Sequence, residues 1–218
     1  HYHATPEDHA VLEKKGFLLV DSGATYMDGT TDITRTYPLG ELTEDEKRFY
    51  TWTLQSHIDL ARAVWLNYCE CKMIDTIARE PLWRHLINYR CGTGHSVSFV
   101  GNVHEGPHAL NSRNTTRMRP GMVVTDEPGV YETDLVGIRI ENELVCIHKA
   151  DNQYGTFLGF EPLTFVPIAT SPILPGVLDK DELAWLNDYH RQVFAKLAPH
   201  LNAEERVWLA EKCASIGC

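Results

Sequence analysis

Residues 17–40 read FLLVDSGATYMDGTTDITRTYPLG, and two aspartates in this stretch set the problem that the rest of the chain has to solve. Four apolar residues lead into Asp21, and Asp32 follows inside a second stretch rich in Thr, Ile and Tyr. Asp28-Gly29 is a tight-turn signal between two strand-like runs, so the stretch predicts a β-hairpin. Both aspartates stand where a buried strand would carry Val or Ile. A carboxylate is costly to bury unless it is paired or bound to a metal.

Working outward, residues 42–65 predict a long amphipathic helix. Thr43 and Glu46 form a capping box at its start, and Leu54, Ile58 and Ala61 continue one face. A second helical stretch covers 72–89, disturbed by Pro81. Residues 91–107 set glycines and histidines on a strand-and-loop background. GMVVTDEPGVYE and GIRIENELVCIH follow as two strands with a short connection, and LTFVPI adds another. From Asp179 onward Leu183, Leu186 and Val193 recur at helical spacing. No repeat, low-complexity linker or domain boundary interrupts the chain.

Composition narrows the classes. With 43% hydrophobic and 23% charged residues the chain is an ordinary globular sequence. A formal net charge of −10 argues against a general nucleic-acid or anionic-membrane binder. No apolar run approaches the roughly 18–20 residues of a membrane span. The six cysteines show no C-x-x-C pair, and they read as reduced thiols of a cytoplasmic protein. Cys69 and Cys71 could be half of a zinc site, but no second half is evident. The opening HYHATPEDHA has no initiator Met and reads as the interior of a domain.

Further polar groups stand on apolar strands. Glu127 follows VVTD, Glu141 follows GIRI, and His95 closes GTGH. Each has a bland explanation taken alone: a turn former, a salt bridge to Arg139, a hydrogen-bonded core histidine. All of them in one chain, at strand ends or glycine turns, weaken those explanations together. Four carboxylates in one pocket raise one another's pKa values unless cations neutralise them. Oxygen ligands with a single imidazole suit Mn, Fe, Co or Zn. Two such ions can bridge a water and clamp a tetrahedral intermediate, which suits amide hydrolysis.

The motifs VDSGATYMDGTTDITRT, GTGHSVSFVGNVHEGP, VVTDEPGVYE and GIRIENELV resemble the catalytic domain of the aminopeptidase P (Xaa-Pro aminopeptidase) family over nearly the whole chain. These are metallopeptidases of the pita-bread fold, an α+β architecture shared with methionine aminopeptidase and prolidase. The resemblance implies that Asp21 chelates one metal, that Asp32 and Glu141 bridge both, and that His95 and Glu127 hold the other. It implies that Glu127 also takes a proton from the bridging water, and that His104 and His1 face the substrate. Arg139 would support the metal-bound carboxylates, with Thr34 and Tyr131 as weaker supports. Gly92 and Gly94 would let backbone pass close to the metals. Cys91 stands where the family commonly has His, and Ser96 and Ser98 replace glycines. Cys91 therefore alters the polarity of the substrate pocket, and a free thiol beside a metal is open to oxidation.

The short spacing between Glu127 and Glu141, with FEPLTFVPI and WLNDYHRQVF after them, resembles the longer, three-domain aminopeptidases P. The expected organisation is a catalytic domain over 1–178, lacking its N-terminal segment, and a helical tail over 179–218 packed on it. Two upstream domains are expected, and the bare chain is expected to show an apolar surface and poor activity. The expected reaction is hydrolysis of the bond between an N-terminal residue and a following proline. Two divalent metals, first of all manganese, would serve it, in a homodimer acting on proline-containing peptides. Alternatives are a prolidase-type dipeptidase and a non-catalytic binding module on the same fold.

Overall fold

A computed structural model of the chain describes residues 4–217. The hairpin forms as its turn signal predicts: β1 (Phe17–Tyr26) pairs antiparallel with β2 (Gly29–Pro38) around Asp28-Gly29. Helix α1 (Glu44–Ala61) starts at the expected Thr43–Glu46 capping box. It stops at Ala61, so that Val64–Leu66 becomes a short strand, β3, which the helical pattern had hidden. Helix α2 (Cys71–Trp83) ends six residues earlier than its sequence pattern suggests; Pro81 lies in its last turn, and Leu86 just beyond takes a positive φ of 59°.

The remaining strands are β4 (Gly94–Ser96), β5 (Glu105–Leu110), β6 (Val123–Asp126), β7 (Gly129–Glu132), β8 (Val136–Arg139), β9 (Asn142–Asn152) and β10 (Gly155–Pro162). A six-stranded antiparallel sheet runs in the order β3-β10-β9-β6-β4-β5, and β7 with β8 forms a separate ribbon. LTFVPI is no strand. It is an irregular crossing over 163–168 whose carbonyls at Val166 and Pro167 accept from Arg35 instead of a sheet neighbour. Helices α3 (Lys180–Leu197) and α4 (Ala203–Lys212) close the chain, each on its own capping box.

A small hydrophobic cluster of Leu82, Tyr89 and Val130 joins α2 to β7, and two large ones hold these layers. One joins α2 and the end of α1 to the large sheet through Leu60, Ile74, Ala78, Leu110, Val124, Leu144 and Leu158. The other joins α1 to β8, α3 and α4 through Leu54, Ile58, Ile138, Leu186, Val193 and Leu209. Each fully buried aliphatic side chain contributes about 1.5–3 kcal/mol. Helices α3 and α4 thus share this core with α1 and β8. In β2, Thr34, Arg35 and Thr36 are buried in succession, so both of its faces are covered. Strand β1 differs from expectation. Among the described residues its only ladder partner is β2, and Val20 and Tyr26 are exposed, as is Met27 in the turn that follows.

Candidate metal centre

The aspartates do not sit at strand ends. Asp21 lies in the middle of β1, opposite Thr34, and Asp32 lies within β2, opposite Gly23. Asp32 is buried, whereas Asp21 is half exposed because no described residue covers the outer side of β1. His95 is central in β4. Glu127 and Glu141 fall just beyond β6 and β8, where the chain leaves the ladder and turns a side chain inward.

The fold brings these positions together from five separate segments. One ligand atom each from Asp32, His95 and Glu141 lies within 4.8 Å of the others. Glu127 joins them: its Oε1 is 3.0 Å from His95 Nε2, which is also 3.4 Å from Asp32 Oδ2. His95 Nδ1 points the other way, 3.1 Å from the Ser96 carbonyl, so Nε2 is the nitrogen turned to the carboxylates. Asp21 is the outlying member, with Oδ2 held at 2.5 Å by Arg139.

Arg139 binds several of the expected supports at once. It donates to Thr34 Oγ1 at 2.9 Å and Tyr131 OH at 2.5 Å, and its Nε lies 3.9 Å from both Glu127 and Glu141. Thr34 in turn donates to Glu141 Oε2 at 2.6 Å. Thr125 donates to Glu127 Oε1 at 2.8 Å and accepts the His95 main-chain N–H. The ring of His104 stands edge-on to that of His95, with centroids 4.0 Å apart. His1 lies outside the described residues.

Gly94 has a different reason from the expected one. A Cβ there would collide with the main-chain carbonyl of Thr125, so it is the close approach of β4 and β6 that demands glycine. Cys91 directs its thiol at the Gly129 carbonyl, 3.5 Å away. Burial, and then the charge of Glu127, push its pKa up, which disfavours the reactive thiolate.

Several residues behind the site escaped sequence reading. Arg35 is buried at 3% exposure and has no carboxylate within ion-pair distance among the described residues. It donates to the carbonyls of Thr34 and Glu141, to Asn142 Oδ1 and to Tyr189 OH of α3. His57 of α1 sits 3.2 Å from the buried Asp126 carboxylate and 3.3 Å from Asn142. Glu143 is buried and has one unpartnered oxygen. For those on strands the only signal was a charged or amide group flanked by buried neighbours; His57 lies on a helix and gave none.

The electrostatics fit cations. Glu141 is buried and its Oε1 has no hydrogen-bond partner. Burial, then the charges of Glu127 and Asp32, push its pKa up to about 8. Burial opposes a charge on His95, but hydrogen bonds to Asp32 and Glu127 outweigh it and raise its pKa to about 10. A buried orphan oxygen among carboxylates and one inward imidazole nitrogen is a donor set for hard to borderline divalent ions. Both raised groups carry the same sign. The metal-free protein holds their stabilisation below their unfolded pKa values and loses it as pH rises through about 8 and then about 10. Its melting temperature is therefore expected to fall from pH 6 to pH 9, by about 2–4 °C for each kcal/mol lost. Added Mn²⁺ competes with these protons, so its stabilising shift should grow over the same range. Calorimetric scans with and without metal check this; a metal-induced shift that shrinks with rising pH would contradict it.

Comparison with known proteins agrees with the motifs. Residues 1–148 match the model of metallopeptidase family M24, and residues 156–216 match the C-terminal region of peptidase M24. The chain is 41% identical over 224 residues to a probable Xaa-Pro aminopeptidase P of Laccaria bicolor, covering 99% of this chain and 35% of that protein. It is 43% identical over 216 residues to aminopeptidase P2 of Arabidopsis thaliana, covering 96% of this chain and 30% of that one. The chain thus spans about a third of the length of these curated relatives. Among solved structures it resembles the X-prolyl aminopeptidase of Caenorhabditis elegans, described as a cytosolic enzyme with a dinuclear active site. The TM-score is 0.86 at 39% identity, covering 91% of this chain and 33% of that one. Prolidase from Pyrococcus furiosus is more distant, with a TM-score of 0.60 at 28% identity over 70% of this chain and 42% of that one.

Proposed function

Because the chain belongs to metallopeptidase family M24 and has its pita-bread fold, we propose that it is the catalytic part of a dinuclear aminopeptidase that removes an N-terminal residue preceding proline. The observation that carries this is the convergence of Asp32, His95 and Glu141 within 4.8 Å, with Glu127 adjoining. Asp32 and Glu141 would hold two divalent ions between them, with Asp21 on one and His95 and Glu127 on the other. When bound, the ions supply Lewis acidity at the scissile carbonyl and acidify the attacking water. Manganese is the proposed working metal, since the donors are carboxylates with one imidazole.

The protein's own groups handle the protons. Glu127 accepts the proton of the attacking water, and the Thr125 hydroxyl and the His95 ring fix which of its oxygens is free. His104 reaches over the edge of His95, where it can donate to the carbonyl oxygen as negative charge develops. Arg139 sets the positions of Asp21 and, through Thr34, of Glu141. His1 is proposed as a second substrate-side histidine. A cytosolic setting fits the unpaired thiols of Cys69, Cys71, Cys91, Cys146 and Cys213. A homodimer fits the exposed apolar side chains Phe99 and Val100. Upstream domains complete the proposed protein, as in the longer relatives.

Two peptide sets test the reaction. The metal-loaded protein is expected to release the first residue from Xaa-Pro-Yaa tripeptides and longer peptides, and not from the same peptides with alanine in place of proline. Cleavage confined to Xaa-Pro dipeptides would instead favour the prolidase reading, because a dipeptidase requires the free proline carboxylate.

A further inference from the structure

Beside Cys91 the surface opens into a cleft of about 590 Å³ that the chemistry above does not use. Arg79, Arg90, Arg113 and the half-exposed indole of Trp83 line it. Arg79 is already satisfied: Asp75 pairs with it at 2.8 Å, and its other N–H groups go to Asn88 and to the carbonyls of Tyr89 and Cys91. Arg90 and Arg113 are different. Among the described residues neither guanidinium has an acidic side chain or other partner. In a chain with 30 acidic and 20 basic residues, two unmatched guanidiniums sharing one concavity make a local positive field against the sign of the whole.

Along the chain, the wall of the cleft at Cys91 lies four residues from His95 of the metal centre. Cys91, in its wall, faces the carbonyl of Gly129. Gly129 opens β7, whose Tyr131 hydroxyl is bonded to Arg139, the residue that holds Asp21. From Cys91 the chain runs through Gly92 and Thr93 into β4 and His95. Four residues span at most about 14 Å, which an extended peptide also covers in about four residues.

We propose that this cleft binds the part of the substrate that follows the proline and selects peptides with acidic groups at about their third to fifth positions. The inference rests on the Xaa-Pro reading for the direction in which the peptide lies. Two solvent-accessible guanidiniums give charge selectivity more than raw affinity, and salt screens it.

The test uses the metal-loaded protein and peptides carrying a dye on the side chain of an added C-terminal cysteine: the pattern Ala-Pro-Gly-Glu-Glu, its Lys-Lys counterpart, and Gly-Gly counterparts whose terminal carboxyl is an amide or a free acid. Fluorescence anisotropy gives Kd, and initial rates give kcat/KM. At low salt the Glu peptides are expected to bind about tenfold more tightly than the Lys peptides and to be cleaved with about tenfold higher kcat/KM, the two sets converging at high salt. Arg90→Glu with Arg113→Glu should invert the ratio. A gain from the free acid over the amide as large as that from Glu would assign the cleft to the terminal carboxylate instead of side chains. Equal Kd for Glu and Lys peptides in the native protein, or a preference that survives the double reversal, overturns the inference while leaving the Xaa-Pro reading untouched. Charge-selective binding that the reversal abolishes, without cleavage of any Xaa-Pro peptide, would support the cleft and sink the peptidase reading.

Discussion

Asp32→Ala is expected to remove metal binding and peptidase activity together. Asp32 is one of three residues whose ligand atoms converge within 4.8 Å, and it is buried in β2. Replacing even a residue that only orients a metal ligand typically costs 10–100-fold in affinity or activity. A bridging carboxylate should cost about 100-fold or more in both. The fold should survive, because the lost carboxylate repels Glu141 as well as bonding His95, so its two effects oppose each other. The metal-free variant should therefore stay close in stability to the metal-free native protein near pH 8. Activity and metal content are measured beside a thermal melt. Full turnover in this variant would remove Asp32 from the site, and a large drop in melting temperature would mean that its role is structural.

The second large effect is expected at Arg35. Its guanidinium donates to Thr34 O at 2.9 Å, Glu141 O at 2.5 Å, Asn142 Oδ1 at 2.8 Å, Val166 O at 2.7 Å, Pro167 O at 3.2 Å and Tyr189 OH at 2.9 Å. Every N–H of a planar five-donor fork has a fixed acceptor, a geometry that lysine does not reproduce. Arg35→Met fits the volume but leaves buried acceptors without donors, at about 1–3 kcal/mol for each left unsatisfied. A loss of about 3–5 kcal/mol in urea unfolding is expected, with Arg35→Lys recovering only a part. Activity should fall further than the folded fraction does, because the same guanidinium fixes the main chain at Thr34 and Glu141. A change below about 1 kcal/mol would show that water replaces the guanidinium and that Arg35 does not tie α3 to the site.

Arg35 also shows where the sequence stops speaking. In DITRTY it looks like a solvent-facing charge in a strand of β-branched residues. Only tertiary packing against both sides of β2 makes both of its faces interior. The converse holds for Asp21, which reads as a buried carboxylate after four apolar residues but lies half exposed on an outer strand. What could be read locally came through: the Asp28-Gly29 turn and the Thr43–Glu46 box depend on neighbours a few residues away. The short strand β3 and the irregular LTFVPI crossing depend on partners about 90 and 130 residues distant, β10 for one and Arg35 for the other. Glu127 and Glu141 were legible because a carboxylate closing an apolar run has few structural excuses. Glu143 and Asp126 were not, since each sits beside a residue that already explained the motif.

The most direct test of the central claim is metal stoichiometry after equilibrium dialysis against Mn²⁺ near neutral pH, by elemental analysis, on the native protein and on Asp32→Ala in parallel. Two divalent ions per native chain, with the Asp32→Ala chain largely stripped, is the predicted result. A native chain that retains none, or an Asp32→Ala chain that still retains two, would contradict it.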